Sequence, residues 1–264
     1  MAYQNSYGGF QGWFRAIPPV TRNLILINLL IWIVEAVSGS FGLKLLDLLG
    51  LHFLWGFSGC DFNPAQLVTY MFLHDQHNFM HVAFNMFTLY MFGRTIEQTW
   101  GSRRFLFYYF VCGIGAAIVQ EGVWALTWRS DFNDIIVNNT GLTADTVKGY
   151  IQADPEAYEP LMMTFRNSFL TMGASGAVFG VLLAFAFLYP DIPLYIFFIP
   201  VPVKAKYMVA GYAVLEFFLG VSGNMGTIAH FAHLGGMLFG LILLLYWKRR
   251  NGGRQNPFGF KNRF

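Results

Sequence analysis

One serine of this chain lies in a setting that suits a nucleophile. Ser175 belongs to the stretch Met172–Ala177, whose sequence is MGASGA, and an apolar run follows it. Glycine lets a substrate backbone approach closely. A helix that begins at Ser175 would offer free N–H groups and a partial positive charge to a developing oxyanion. Close packing of two helices through Gly173 and Gly176 is the alternative explanation of this stretch.

Two histidines lie near the start of a later apolar run. His230 and His233 are one helical turn apart, and His233 shares a helix face with Gly236 and Gly240. The glycines form a small-residue strip that permits close approach of a second helix, so His233 would point into that contact. An imidazole inside a membrane helix is a functional candidate, and an interhelical hydrogen bond is the alternative. His230 is either a supporting residue or a packing residue.

A third polar pair opens another apolar run. His81 and Asn85 have the i, i+4 spacing that places both side chains on one face of a helix. Both side chains can donate hydrogen bonds, and two donors beside a nucleophile would form an oxyanion hole. Hydrogen bonding between helices is again the alternative. These motifs do chemistry together only if the fold brings them together.

The composition indicates which elements could do so. Of the 264 residues, 55% are hydrophobic and only 12% are charged, whereas a soluble domain carries about 25% charged residues. This composition excludes a disordered chain and argues against an ordinary soluble enzyme. The net charge of +3 gives no indication of nucleic-acid binding. Cys60 and Cys112 lie in different contexts and do not indicate a disulfide framework.

Six apolar runs predict an all-α polytopic membrane protein, because a helix needs about 20 mostly apolar residues to cross the hydrocarbon. Short runs are tolerated where a helix borders a water-filled cavity. We expect a membrane domain over residues 20–247, an N-terminal segment 1–19 and a basic tail 248–264. The outer connection at about 38–80 would be partly helical. The outer connection at about 128–168 would be a polar loop. The six runs are Val20–Val37, His81–Ile96, Phe105–Leu126, Ser175–Tyr189, Lys206–Val221 and Ile228–Trp247.

The basic residues predict the orientation of these helices. The two terminal segments and the connections after the second and fourth runs contain 13 of the 17 lysines and arginines, so both termini are expected to be cytoplasmic. His81, Ser175 and His233 then each lie near the start of a helix that runs from the outer to the inner face. The three motifs would share one depth just below the outer surface, and we expect them to form one site.

In this combination and order, the motifs resemble the rhomboid family of intramembrane serine proteases. The resemblance covers about Pro18 to Trp247. It includes the stretch Gln66–His74 and the stretch Glu97–Gly101, which matches the family's Glu-x-x-x-Gly pattern at the end of the second helix. It implies a six-transmembrane-helix rhomboid-like bundle in a lipid bilayer. Its substrates would be transmembrane proteins, and it would need no cofactor, metal or ATP.

The resemblance also implies roles for individual residues. Ser175 would attack the scissile carbonyl, and His233 would act as general base and then general acid, in a Ser–His dyad without a third acid. The backbone N–H of Ser175, together with His81 and Asn85, would hold the oxyanion. Structural support would come from Gly173, Gly176, Phe179, Glu97, Gly236 and Gly240.

Some features differ from the family pattern or extend it. Many bacterial relatives have tyrosine where this chain has Phe179, which can still pack on the His233 imidazole but lacks the hydroxyl. We expect a substrate to enter between the second and fifth helices, with Phe217 and Phe218 as gate residues and a small residue before the cleaved bond. The basic tail and the lack of a targeting presequence favour a bacterial inner membrane.

Two other kinds of protease would need different residues. A metalloprotease could draw on His74, His77 and His81, or on the pair at 230 and 233, but the His-Glu-x-x-His pattern of zinc proteases is absent from the sequence. An aspartyl intramembrane protease needs paired intramembrane aspartates, and Asp191 lies at a cytoplasmic helix end. The sequence therefore disfavours both a metalloprotease and an aspartyl protease.

Two alternatives are not proteases. A transporter or channel could use Glu35 and Glu216 as relay groups, although both lie near outer helix ends, where water or loop donors can satisfy them. An inactive rhomboid relative that binds membrane clients is the other alternative. Such proteins typically lack the serine or the histidine, and this chain has both.

Overall fold

The computed structural model describes residues 16–38, 41, 44–54, 62–195, 201–222 and 227–250. Each of the six predicted apolar runs contains helix. In chain order the helices are α1 (Pro19–Ser38), α2 (Leu45–Leu49), α3 (Gln66–Thr69), α4 (Phe79–Thr88), α5 (Arg94–Trp100), α6 (Ser102–Thr140), α7 (Ala144–Ala153), α8 (Pro155–Asn167), α9 (Ser175–Leu188), α10 (Ala205–Val221) and α11 (Thr227–Arg250).

Short turns and hairpins complete the described fold. A 3-10 turn at Tyr70–Phe72 follows α3, and a π-helical turn at Leu89–Gly93 joins α4 and α5 into one helical run. Strand β1 (Leu51–His52) pairs antiparallel with β2 (Leu170–Thr171), with Leu51 opposite Thr171. Strand β3 (Pro193–Tyr195) pairs antiparallel with β4 (Pro202–Lys204), with Leu194 opposite Val203. The first pair joins the connection that follows α1 to the segment just before α9.

The distribution of polar side chains in α1 is the reverse of that in a soluble helix. Thr21 and Asn28 are fully buried, whereas Leu30 and Ile33 are 61% and 53% exposed. The Asn28 side chain donates a hydrogen bond to the carbonyl of Leu24 at 2.7 Å. Polar groups in a membrane protein face the bundle interior and find partners there, so this outward apolar surface fits lipid rather than water.

Only some of the described helices are long and apolar enough to cross a bilayer. Among the described residues, α1, α6 and His230–Arg250 within α11 are each long and apolar enough to cross a bilayer unaided, while α9 is a shorter apolar helix. Helix α11 packs against α6, α9 and α10, and most residues of the short α9 are buried among its neighbours. Strand β2 pairs with β1 shortly before α9 begins at Ser175.

The segment 128–168 differs from the polar connection predicted for it, because it is helical. Helix α6 continues to Thr140 and ends at Gly141, whose φ of 71° is a left-handed helix cap. Helices α7 and α8 follow, with N-caps at Thr143 and Asp154 whose side chains accept backbone N–H groups. Polar composition alone could not separate a loop from a solvated helix, since capping and amphipathic packing decide between them.

The first outer connection is partly helical, as expected, through α2, α3 and the 3-10 turn. Cys112 is a buried free thiol. Cys60, most of the predicted N-terminal segment and nearly all of the basic tail lie outside the described residues.

Glu97 of α5 forms hydrogen bonds with the N-terminus of α1. Its Oε1 accepts the backbone N–H of Val20 at 2.9 Å and the hydroxyl of Ser102 at 2.7 Å. Its Oε2 accepts the backbone N–H and the hydroxyl of Thr21 at 2.7 and 2.8 Å. A carboxylate at a helix N-terminus satisfies free N–H groups and complements the helix dipole. The structural role that the family resemblance implies for Glu97 has this contact as its physical basis.

We predict that Glu97→Ala lowers the free energy of unfolding by about 3 kcal/mol, because it leaves several buried donors without an acceptor. Thermal unfolding of the purified protein in detergent measures this loss. The matched control is Glu156→Ala at an exposed position of α8, which should change stability by no more than about 0.5 kcal/mol. Equal effects of the two substitutions would contradict the proposed role of the Glu97 contacts.

Candidate active site

Ser175 and His233 contact each other across two helices. Ser175 is the first residue of α9 and His233 lies in the second turn of α11, and the Ser175 Oγ is 2.8 Å from the His233 Nε2. This is hydrogen-bond distance for a nucleophile and its general base. The sequence predicted that these two residues share one site, and the structure brings them together.

Glycines make this contact possible because they let α9 and α11 touch through their backbones. A Cβ added to Gly236 would collide with the carbonyl oxygen of Gly176. A Cβ on Gly176 would meet Ala116 of α6 at 2.5 Å, and one on Gly240 would collide with the Tyr108 hydroxyl. The small-residue strip of α11 thus packs against both α9 and α6.

Phe179 lies one turn after Ser175 and supports the imidazole. Its ring stacks on the His233 ring with a centroid distance of 4.3 Å and an interplanar angle of 6°. The sequence predicted this packing despite the loss of a tyrosine hydroxyl. The stacked ring restricts rotation of His233 and keeps its Nε2 directed at Ser175.

Glu216 is a part of the site that sequence reasoning did not place there. Its Oε2 lies 3.0 Å from the Nδ1 of His233 and 2.6 Å from the Nδ1 of His230. The family resemblance implied a dyad without an acid, whereas this structure adds a carboxylate on the far side of the imidazole. The sequence contained a usable signal, because Glu216 lies about one and a half turns before the end of α10 and His233 about one and a half turns after the start of α11.

The same three side chains could also hold a metal ion. Within the described residues, Glu216, His230 and His233 are the group whose potential ligand atoms all lie within 4.8 Å of one another, and two imidazoles with a carboxylate suit zinc. The histidines considered from sequence do not gather in this way, since His74 packs on His81 and His77 is exposed. A chelator distinguishes the two uses of the cluster.

His81 is held in a defined orientation beside Ser175. The backbone N–H of Asp75 donates to the His81 Nδ1 at 3.3 Å, so the neutral ring carries its proton on Nε2. That Nε2 lies 2.9 Å from the position a Cβ would take on Gly173, whose φ is +124°. Only glycine fits there, and the Nε2–H therefore reaches the turn that precedes Ser175.

The ring of a second histidine, His74, packs against the ring of His81. The ring of His74 lies 5.1 Å from that of His81, measured between centroids. Burial first, and the neighbouring His81 second, lower the pKa of His74 to about 3. His74 is therefore uncharged at neutral pH and provides a neutral packing surface for the His81 ring.

Asn85 has one of its amide hydrogens committed within α4. Its Nδ2 donates to the carbonyl of His81 at 2.8 Å. An amide has two N–H groups, so one remains for another acceptor. Asn85, His81 and Ser175 line the same cavity, and the structure thus gathers all the residues predicted to hold an oxyanion.

This central cavity has a volume of about 1180 Å³ and runs between α4 and α10. It extends from Asn78 at the outer end of α4 to Tyr195 in β3. Its apolar wall includes Phe84, Phe87 and Met91 on one side, and Met208 and Tyr212 on the other. Phe217 and Phe218, the predicted gate residues, do not line this cavity. They are 51% and 65% exposed on α10 and contact each other, and their gating role stays a prediction.

The remaining acidic candidates have partners outside the site. Glu35 accepts a hydrogen bond from the Gln76 side chain at 3.2 Å. Asp191 is exposed and accepts from Lys206 at 2.9 Å and Lys204 at 3.1 Å. These two lysines hold the pKa of Asp191 below its usual value. Neither carboxylate belongs to the group formed by Glu216 and the histidines.

Comparison with known proteins agrees with this architecture. Residues 61–250 match the family model described as the Rhomboid domain. The chain therefore belongs to the rhomboid family, whose domain is a helical, polytopic membrane fold.

A similar curated protein is RHOMBOID-like protein 12, mitochondrial, from Arabidopsis thaliana. It is 28% identical over 177 residues, which cover 66% of this chain and 43% of the relative. The matched region thus spans less than half the length of that protein.

The backbone contact between α9 and α11 gives a stability prediction. We expect Gly236→Ala to destabilise the protein by about 1–3 kcal/mol, as overpacking of a tight contact does. The matched control is Gly122→Ala in α6, where an added Cβ meets no atom within 4 Å and should be neutral or slightly stabilising. Thermal unfolding in detergent measures both variants, and a Gly236→Ala protein as stable as the control would contradict the contact.

Proposed function

We propose that this protein is an intramembrane serine endopeptidase. It hydrolyses a peptide bond in or next to the transmembrane helix of a substrate protein, near the outer face of the membrane. The observation that carries the proposal is the 2.8 Å contact between the Ser175 Oγ and the His233 Nε2 at the N-terminus of α9, beside two hydrogen-bond donors in one cavity.

The first half of the reaction forms an acyl-enzyme. His233 takes the hydroxyl proton of Ser175 as the Oγ attacks the scissile carbonyl carbon. The resulting oxyanion accepts hydrogen bonds from the Ser175 backbone N–H, the His81 Nε2–H and the free N–H of Asn85. His233 then gives its proton to the leaving amine, and the carbon–nitrogen bond breaks.

The second half returns the enzyme to its starting state. A water molecule gives a proton to His233 and attacks the ester carbon, through the same oxyanion site. The carbon–oxygen bond to Ser175 breaks, and His233 returns the proton to the Oγ. The substrate leaves as a carboxylic acid and an amine, and the proton count is unchanged.

The cavity supports a transmembrane substrate. It presents an apolar wall between α4 and α10 and its polar groups near Ser175, which suits a segment that is apolar except where it is cut. A helical substrate hides its carbonyls in hydrogen bonds, so the segment must unwind locally, and helix-weakening glycine or proline would favour cleavage. The close packing of the glycine-containing helices α9 and α11 beside Ser175, together with the family resemblance, favours a small residue before the cut.

The location belongs to the same proposal. The excess of basic residues on one side predicts cytoplasmic termini and an active site toward the outer face. We include a bacterial inner membrane in the proposal on the basis of the basic residues after Trp247. The word mitochondrial in the name of the Arabidopsis relative applies to that protein.

The decisive test is cleavage of a single-span model substrate in proteoliposomes that contain EDTA. The substrate carries alanine before the expected site and glycine just beyond it. Wild type should release a product, and Ser175→Ala should release none, since it has no nucleophile. The matched control is Ser130→Ala, an exposed serine of α6, which should retain full activity.

Other results would contradict the proposal. Product from Ser175→Ala would exclude Ser175 as the nucleophile. Wild-type cleavage that occurs only in a parallel assay without EDTA would indicate a metalloenzyme built on Glu216 and the two histidines. A folded wild type that binds the substrate but never cleaves it would favour a client-binding protein. Mass spectrometry of the product locates the cleaved bond.

The oxyanion donors give a second prediction. His81→Ala should lower kcat by about 10²- to 10³-fold with little change in KM, as removal of one preorganised donor does. His77→Ala is the matched control, because His77 is exposed in the connection just before α4, and its activity should stay within about twofold of wild type. A loss confined to KM would assign His81 to substrate binding instead.

A further inference from the structure

We propose that Glu216 is the positioning residue of the catalytic histidine, and that His230 holds Glu216 in place. The inference rests on the proposed function, because it concerns how His233 serves Ser175. It adds an acid to a site for which the family resemblance implies a dyad.

The hydrogen-bond pattern around Glu216 assigns the tautomer of His233. One carboxylate oxygen, Oε2, contacts the Nδ1 of both His233 and His230. An ionised carboxylate only accepts hydrogen bonds, so each imidazole donates from Nδ1. The Nε2 of His233 then has a free lone pair, and it faces the hydroxyl of Ser175 at 2.8 Å. This is the tautomer that can take the proton of the nucleophile.

The same carboxylate stabilises the charge that develops during the reaction. When His233 takes the Ser175 proton it becomes an imidazolium, and Glu216 lies 3.0 Å from its Nδ1. Opposite charges attract more strongly in a site removed from water than in bulk solvent. Glu216 and His233 have side-chain exposures of only 12% and 16%, so the pair meets this condition.

His230 restricts the carboxylate itself. Its Nδ1 is 2.6 Å from the Oε2 of Glu216 and it lies one turn before His233 on α11. The Glu216 carboxylate of α10 thus accepts hydrogen bonds from two imidazoles of α11. These bonds restrict the glutamate side chain to a position beside His233. Phe179 restricts the opposite side of the imidazole by stacking on it.

A residue that only stabilises the packing of α10 against α11 would show the same contacts. The test must therefore separate a structural role of Glu216 from an orienting effect on His233. Substitution of a structural residue lowers stability, whereas substitution of a positioning residue lowers kcat in a protein that is still folded. Two substitutions probe this difference. Glu216→Gln keeps the size of the side chain but lets an amide N–H face His233, and Glu216→Asp keeps the charge.

We expect Glu216→Gln to lower kcat at least tenfold, with KM within about threefold of wild type. The upper limit is about 10⁴-fold, which is the effect of the corresponding aspartate-to-asparagine change in a soluble serine protease triad. Glu216→Asp should recover part of this loss because it restores the carboxylate. Glu121→Gln is the matched control, since Glu121 is a buried glutamate of α6 that accepts from the backbone of Leu54. All assays contain EDTA.

Nitrogen-15 NMR of histidine-labelled protein in nanodiscs tests the tautomer without any activity. His233 in the wild type should show a protonated Nδ1 at neutral pH, and Glu216→Gln should shift it toward the Nε2–H form. If the wild type cleaves nothing yet shows this pattern, the proposed function fails and the positioning by Glu216 stands. If Glu216→Gln leaves both the tautomer and kcat like those of Glu121→Gln, the inference is overturned. A loss of kcat that only follows the loss of folded protein, with the tautomer unchanged, overturns it as well.

Discussion

The backbone contact between α9 and α11 is the constraint on which the rest of the site depends. The carbonyl of Gly176 occupies the place that a Cβ of residue 236 would need. Ser175 directly precedes one glycine, and His233 lies one turn before the other, so this contact sets the distance between their reactive atoms. Apolar surface does not drive helices together inside lipid, and close packing through small residues does so instead. The distance between Ser175 and His233 is therefore set by the lack of side chains at Gly176 and Gly236.

Some buried polar groups away from the site have hydrogen-bond partners within the protein. Glu97 meets the N-terminus of α1, and Asn28 donates to its own helix. The donors near Ser175 differ, because the His81 Nε2 lies beside the cavity and Asn85 keeps one N–H uncommitted. Both donors line the cavity that contains Ser175, where they can hydrogen-bond the polar backbone of a bound substrate.

His233 is restrained from three directions in this structure. Phe179 covers its face, Ser175 lies at Nε2, and Glu216 lies at Nδ1. The restraints come from two helices besides its own, α9 and α10. An intramembrane carboxylate is expensive unless it is paired, and the two histidine donors provide that pairing. The same contacts therefore account both for the tolerance of a glutamate at this depth and for the orientation of the imidazole.

Local patterns in the sequence were enough to predict the six apolar helices and the family, and to select Ser175, His233, His81 and Asn85 as one candidate site, which the structure brings together. These features follow from short-range properties, namely apolar length, helical spacing and the motifs around each polar residue. The place of Glu216, the helical nature of residues 128–168 and the cavity between α4 and α10 required the folded structure. Glu216 contacts a histidine 17 residues away on a neighbouring helix, and the cavity is formed by residues far apart in the chain. Such contacts depend on how helices rotate and cross, which is set by packing between them rather than by the local pattern of any one helix.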